Sequence, residues 1–147
     1  MQEEKKGETT LHSRRSLTLH FDIPIAKTHE FWDALKEGKF MTTKCSGCGT
    51  ISFPPQADCP NCMSGRFEWV SLGREAELVT FTYVQITPAS FVDSGPYIIA
   101  IGRFPSGVKV LAWLEGVTVE KAKPGLKLRI ETRTSREGNP YYVFTPA

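Results

Sequence analysis

A chain of 147 residues, 40% of them hydrophobic, has the length of one domain, or of one modest domain plus a satellite too small to bury a core alone. Its formal net charge of +2 is too small to argue by itself for nucleic acid or a membrane surface, so electrostatic attraction would need local clustering. No apolar run is long enough to span a bilayer, and the opening MQEEKKGETTLHSRRS is charged where a signal peptide is apolar, so the chain reads as cytoplasmic.

Residues 1–26 read as an N-terminal extension, polar and without periodicity up to residue 16. There SLTLHFDIP alternates Leu17, Leu19 and Phe21, a pattern for a short strand or extended arm ending at Pro24. Residues 27–40 are expected to form a helical segment, THEFWDALKEGKF. Thr28 is the candidate cap, Glu30 and Asp33 suit the early turns, and Gly38 supplies the stop, with Phe31, Leu35 and Trp32 on the apolar face.

All four cysteines fall in residues 41–70, as C-x2-C-x10-C-x2-C: Cys45, Cys48, Cys59 and Cys62. In a reducing compartment this spacing points to metal binding before disulfides. Each pair, CSGC and CPNC, reads as a tight turn bringing two thiolates to one ion, with Gly47 and Gly49 giving the first turn its backbone freedom. Four soft sulfurs favour Zn2+ in a closed structural site; iron and dithiol redox chemistry are the alternatives. A catalytic zinc needs an open position, which four thiolates do not leave. Ile51 and Phe53 suggest a short strand between the pairs, and the adjacent prolines a bend, which together describe a zinc ribbon.

From residue 71 to 147 the texture is β: EAELVTFTYVQI, YIIAIGRF, VKVLAWLEG, LKLRIETR and YYVFTP, with FPSG, KPG and REGNP as turns. Five short strands without long intervening helices suit a small barrel, of which a five-stranded OB-fold is the leading candidate. In LKLRIETR the apolar Leu126, Leu128 and Ile130 alternate with Lys127, Arg129 and Glu131, so one barrel face is expected to be cationic.

Acid-base and nucleophile motifs are missing. His12, His20 and His29 all precede the ribbon outside any motif, and the chain has no phosphate loop, no G-x-S-x-G and no H-E-x-x-H. Glu75 and Glu77, on one face of a strand, read as solvated carboxylates, and the serine of SGPY as a turn residue. The expected fold class is therefore mainly β: an N-terminal helical segment, a rubredoxin-like zinc ribbon and a C-terminal five-stranded OB-fold barrel.

The order of these parts, EFWDALKEGKF, CSGCGTISFPPQADCPNC, FEWVSLGREAELVTFTYV, PYIIAIGRF and YYVFTP, resembles the domain of unknown function 35 family over about residues 27–146. The resemblance implies Cys45, Cys48, Cys59 and Cys62 as zinc ligands and no catalytic residue. It implies an accessory or scaffold protein for thiolases and hydroxymethylglutaryl-CoA synthase type enzymes, which in archaeal complexes of this type helps form a shared CoA channel. CoA or acyl-CoA is then the expected ligand, with Lys127, Arg129 and Arg133 as candidates for its phosphates.

Two other functions compete with the scaffold. A single-stranded nucleic-acid module would stack bases on exposed aromatics, for which Phe81, Tyr83, Tyr97, Tyr141 and Tyr142 are available. An almost neutral chain fits it poorly, and no nucleic-acid partner is expected. An acyl-CoA-processing enzyme would need a nucleophile and base that the ordered part does not offer.

Overall fold

The computed structural model describes residues 21–147. Leu17 and Leu19 of the expected arm lie outside these residues, and Phe21 to Ile25 carry no strand. Helix α1 (His29–Lys36) buries Phe31 and Leu35 and leaves Trp32 37% exposed. Thr28 stands at its N-terminus, but its hydroxyl makes no cap bond. Its ψ of 8° is turn geometry rather than the extended conformation that aims a capping side chain at the first amides. The C-terminus behaves as expected. Gly38 adopts a positive φ of 75°, its amide donates to the Leu35 carbonyl at 3.0 Å, and the Lys39 amide donates to Ala34 at 2.8 Å.

Three strands make the ribbon sheet: β1 (Met41–Cys45) runs between β2 (Ile51–Ser52) and β3 (Phe67–Ser71), antiparallel to both. Two threonines on β1 are buried although polar. The Thr42 hydroxyl donates to the Ser52 carbonyl, and the Thr43 hydroxyl accepts the Gln56 amide at 2.8 Å, so burial costs neither group its hydrogen bond.

The remaining strands are β4 (Glu75–Val84), β5 (Tyr97–Arg103), β6 (Lys109–Leu114), β7 (Lys127–Thr134) and β8 (Pro140–Pro146), with a 3-10 helix (Ala89–Ser94) between β4 and β5. They close into a barrel of order β4-β5-β6-β8-β7, in which only the β6–β8 pair is parallel. This is the expected five-stranded OB-like barrel. Strands alternate as their sequences require: Leu128 and Ile130 point inward and are buried, while Lys127 and Arg129 point out. β4 slips register between Leu78 and Thr80, a bulge that lets a long strand bend around the barrel.

Ribbon and barrel share one core. Phe31 of α1, Phe40, Phe53 of the ribbon, Phe104 and Tyr142 of the barrel form a contiguous aromatic cluster. Phe40 is its hub, with centroids 5.2 Å from Phe53 and from Tyr142 and 5.8 Å from Phe104. At the barrel axis Gly102 faces the fully buried Phe144, and a Cβ there would lie 2.5 Å from its Cζ. Gly102→Ala is therefore expected to lower stability by about 1–3 kcal/mol through overpacking. Urea denaturation followed alongside zinc content checks this, since a barrel defect should leave the metal stoichiometry intact.

Candidate metal centre

The two cysteine pairs fold into a matched pair of turns. In the first, the Gly49 amide donates to the Cys45 carbonyl and the Cys45 amide to the Thr50 carbonyl, both at 2.9 Å. In the second, the Met63 amide donates to Cys59 and the Cys59 amide to Ser64, again both at 2.9 Å. Each turn also aims an amide at its first sulfur, from Gly47 to Cys45 Sγ at 3.3 Å and from Asn61 to Cys59 Sγ at 3.4 Å. The residue after the second cysteine must take a left-handed φ, which is 75° at Gly49 and 61° at Met63.

These turns bring all four sulfurs within 4.8 Å of one another. Cys45 and Cys62 lie 3.5 Å apart, and Cys48 and Cys59 3.6 Å. Both distances are far beyond a disulfide bond of about 2.05 Å. They match the spacing of about 3.8 Å that a regular tetrahedron with metal–sulfur bonds of about 2.3 Å requires. Thus the donor set fits one zinc ion held by Cys45, Cys48, Cys59 and Cys62. The site is closed, because four thiolates fill a tetrahedron.

The surroundings favour thiolates unequally. The Thr50 hydroxyl and amide, with the Asn61 side chain, bring Cys48 down to about 5, and the Cys48 and Gly47 amides hold Cys45 below the ordinary thiol value. The Ser64 amide pulls Cys62 down, but the neighbouring Cys45, Cys48 and Cys59 sulfurs push it up to about 12. Sulfurs this close cannot all carry charge unless a cation sits among them.

Sequence reasoning picked out the four sulfurs that the fold clusters, but not Thr50 and Asn61, whose Oγ1 and Nδ2 lie 3.1 Å and 3.6 Å from Cys48 Sγ. The signal was available for Asn61, which occupies in CPNC the place of Gly47 in CSGC. Gly47 itself has no left-handed φ; it serves as an amide donor, and the backbone freedom is needed at Gly49.

The barrel residues considered for phosphate lie together on the outer face of β7, at alternate positions. Lys127 donates to Glu77 Oε2 at 2.9 Å, and Arg103 donates to the other oxygen of the same carboxylate at 3.2 Å. The Lys127 ammonium beside it, with Arg103, holds Glu77 below its usual range. Arg133 pairs with Glu131 at 2.6 Å, whereas Arg129 forms no ion pair with any described residue. Of the aromatics, Tyr142 belongs to the buried cluster and Phe81 packs against the core, while Tyr83 and Tyr141 are 38% and 40% exposed. Tyr97 stacks on Trp113.

Residues 32–68 match the family model for the ChsH2 rubredoxin-like zinc ribbon domain, and residues 69–133 that for the ChsH2 C-terminal OB-fold domain. The chain belongs to the ChsH2 (DUF35) family. Among DUF35 relatives, a scaffold protein containing this domain from Methanocaldococcus jannaschii is 27% identical over 116 residues, which cover 78% of this chain and 82% of the relative. The benzoylsuccinyl-CoA thiolase subunit BbsA of Thauera aromatica is 30% identical over 103 residues, 69% of this chain and 70% of that subunit. In solved structures the fold recurs in the Ltp2-ChsH2(DUF35) aldolase, with a TM-score of 0.72 at 21% identity over 85% of this chain and 98% of that one.

Two predictions follow from the site geometry. Cys48→Ser, or a strong chelator, is expected to remove the zinc and unfold residues 40–65, because metal binding supplies much of the folding free energy of so small a sheet. Limited proteolysis with metal analysis decides it: a metal-free chain with a protease-resistant ribbon would refute the structural role. Gly49→Ala should weaken the metal-bound fold by about 1 kcal/mol, while Met63→Gly should not, since only the first introduces a side chain at a left-handed position. Thermal melts of the two variants under identical zinc loading test the difference.

Proposed function

We propose that this protein is a non-catalytic scaffold subunit for acyl-CoA enzymes of the thiolase and hydroxymethylglutaryl-CoA synthase type. The observation that carries this reading is the closed donor set: an ion held by four thiolates has no position for water or substrate, so the ribbon's metal is structural. Among the described residues, the groups best suited to acid-base chemistry are engaged elsewhere. The one described histidine, His29, is engaged at its ring with the Ala26 carbonyl at 3.0 Å beside the start of α1, and Glu77 and Glu131 are held by arginine and lysine. Similarity to a protein named as a scaffold and to one named as a thiolase subunit supports the same assignment.

The acyl-CoA belongs, in this reading, on the outer face of β7. Arg129 is open to a phosphate, and Lys127 and Arg133 would exchange Glu77 and Glu131 for stronger, charge-assisted bonds to the ligand. The reading also places the protein in the cytoplasm. No helix among the described residues is long and apolar enough to cross a membrane.

The test is affinity capture of the full-length chain from native extract at modest salt, with mass spectrometry of retained proteins and zinc measured in the eluate. A thiolase or synthase with one zinc per chain is the expected result. Turnover of an acyl-CoA by the purified chain alone, abolished by one substitution, would replace the scaffold with an enzyme. Retention of single-stranded nucleic acid in a salt-dependent manner would convert the barrel into a strand-binding module.

A further inference from the structure

The outer face of β5 and β6 is apolar and only partly covered by the described residues: Tyr97, Ile99, Ile101 and Trp113 are half-buried, and Phe91 of the 3-10 helix rests on Trp113. Across the ladder Ile99 pairs with Trp113 and Ile101 with Leu111, and Leu111 is 59% exposed. Tyr97 stacks on the Trp113 indole with centroids 4.7 Å apart and planes 15° apart, and Phe91 meets the same ring edge-on at 5.8 Å. An isolated exposed leucine needs no explanation, but a contiguous aliphatic and aromatic surface marks an interaction site. Rigid aromatic side chains of this kind anchor protein interfaces.

Chemistry at one end of the face says what it receives. A cavity of about 530 Å3 opens beside the stack, walled by Tyr83, Tyr97 and Trp113, with Glu115 and Glu120 in its lining and no lysine or arginine. Bonds from its own backbone amide and from Thr118 hold the Glu120 carboxyl below its usual range, so it is anionic at neutral pH. Aromatic faces and carboxylates around one cavity attract a guanidinium or ammonium group and repel phosphate. The opposite end of the face carries Lys109 beside Arg103, which is paired with Glu77.

We propose that this face is where the acyl-CoA enzyme docks, through an aliphatic patch bearing a lysine or arginine that enters the Tyr83, Tyr97 and Trp113 cavity. The inference rests on the scaffold reading and adds the surface and the chemistry by which the enzyme is held. A nucleic acid is disfavoured by the carboxylates. A second copy of this chain is the competing occupant, because Lys109 lies at the far end of the same face.

The experiment uses full-length wild-type protein, Leu111→Arg and Glu120→Arg, each zinc-loaded, against the purified thiolase or synthase subunit identified in the capture above. Leu111→Arg should weaken association at least about tenfold, since it places a charge in the centre of the buried patch. Glu120→Arg should weaken it severalfold, with a deficit that shrinks as ionic strength rises from about 0.1 M to about 1 M and the Debye length falls from about 10 Å to about 3 Å. Both positions are exposed, so zinc content and melting temperature should match wild type. Hydroxyl-radical footprinting of the wild-type complex should show protection at Leu111 and Trp113.

Wild-type affinity in both variants, or an unprotected Trp113, overturns the docking surface and leaves the scaffold reading standing. A wild-type dimer that Leu111→Arg dissolves without changing enzyme binding assigns the face to a second copy and overturns it as well. If wild-type protein retains no acyl-CoA enzyme at all, the scaffold reading falls and the docking surface falls with it.

Discussion

Phe40 sits where the helix, the ribbon and the barrel meet, with its ring in contact with aromatic partners from all three. It joins parts that have little to bury separately. The ribbon sheet has strands of five, two and five residues, too small for a core of its own. Helix α1 spans eight residues, short for an isolated helix in water. Each acquires its apolar contacts by adding Phe31 or Phe53 to the cluster that Phe104 and Tyr142 extend from the barrel. Edge-on and tilted ring pairs of this kind are worth about 0.5–1.5 kcal/mol each beyond their buried area.

The metal complements this packing rather than duplicating it. The aromatic cluster fastens one end of the ribbon to the barrel, while the thiolates tie the two turns to each other. Between them lie Thr42 and Thr43, which connect β1 to β2 and to the segment after it through buried hydrogen bonds. A buried polar link tolerates little rearrangement, because any shift leaves a donor or acceptor unsatisfied. The relative placement of metal site and barrel is thus specified by geometry at three levels: coordination, hydrogen bonding and ring packing.

What could be read from residue order followed local periodicity. The five barrel strands, the outward Lys127 and Arg129, the Gly38 helix stop and the four sulfur ligands all show in the alternation or spacing of neighbouring residues. Thr28 illustrates the limit of that logic, since a capping residue type at the right place failed to cap once the preceding chain entered as a turn. Long-range pairing was equally hidden. Lys127 and Glu77 stand fifty positions apart, and only the β4–β7 closure makes them neighbours. The same holds for the aromatic face: residue order offers Tyr97 only as one of several stacking aromatics and gives Trp113 no special place, until the β5–β6 register brings the two together.

The connectivity of the aromatic cluster sets an order of events during synthesis. A ribosome delivers Phe31, Phe40, Phe53 and all four cysteines within residues 31–62, whereas Tyr142 comes eighty positions after the last cysteine. Until β8 leaves the exit tunnel the barrel is not closed, and the nascent ribbon has only its own hydrogen bonds, the Phe31, Phe40 and Phe53 contacts and a bound ion to hold it. Metal supply in the cell and the arrival of β8 then act in sequence on the same small sheet.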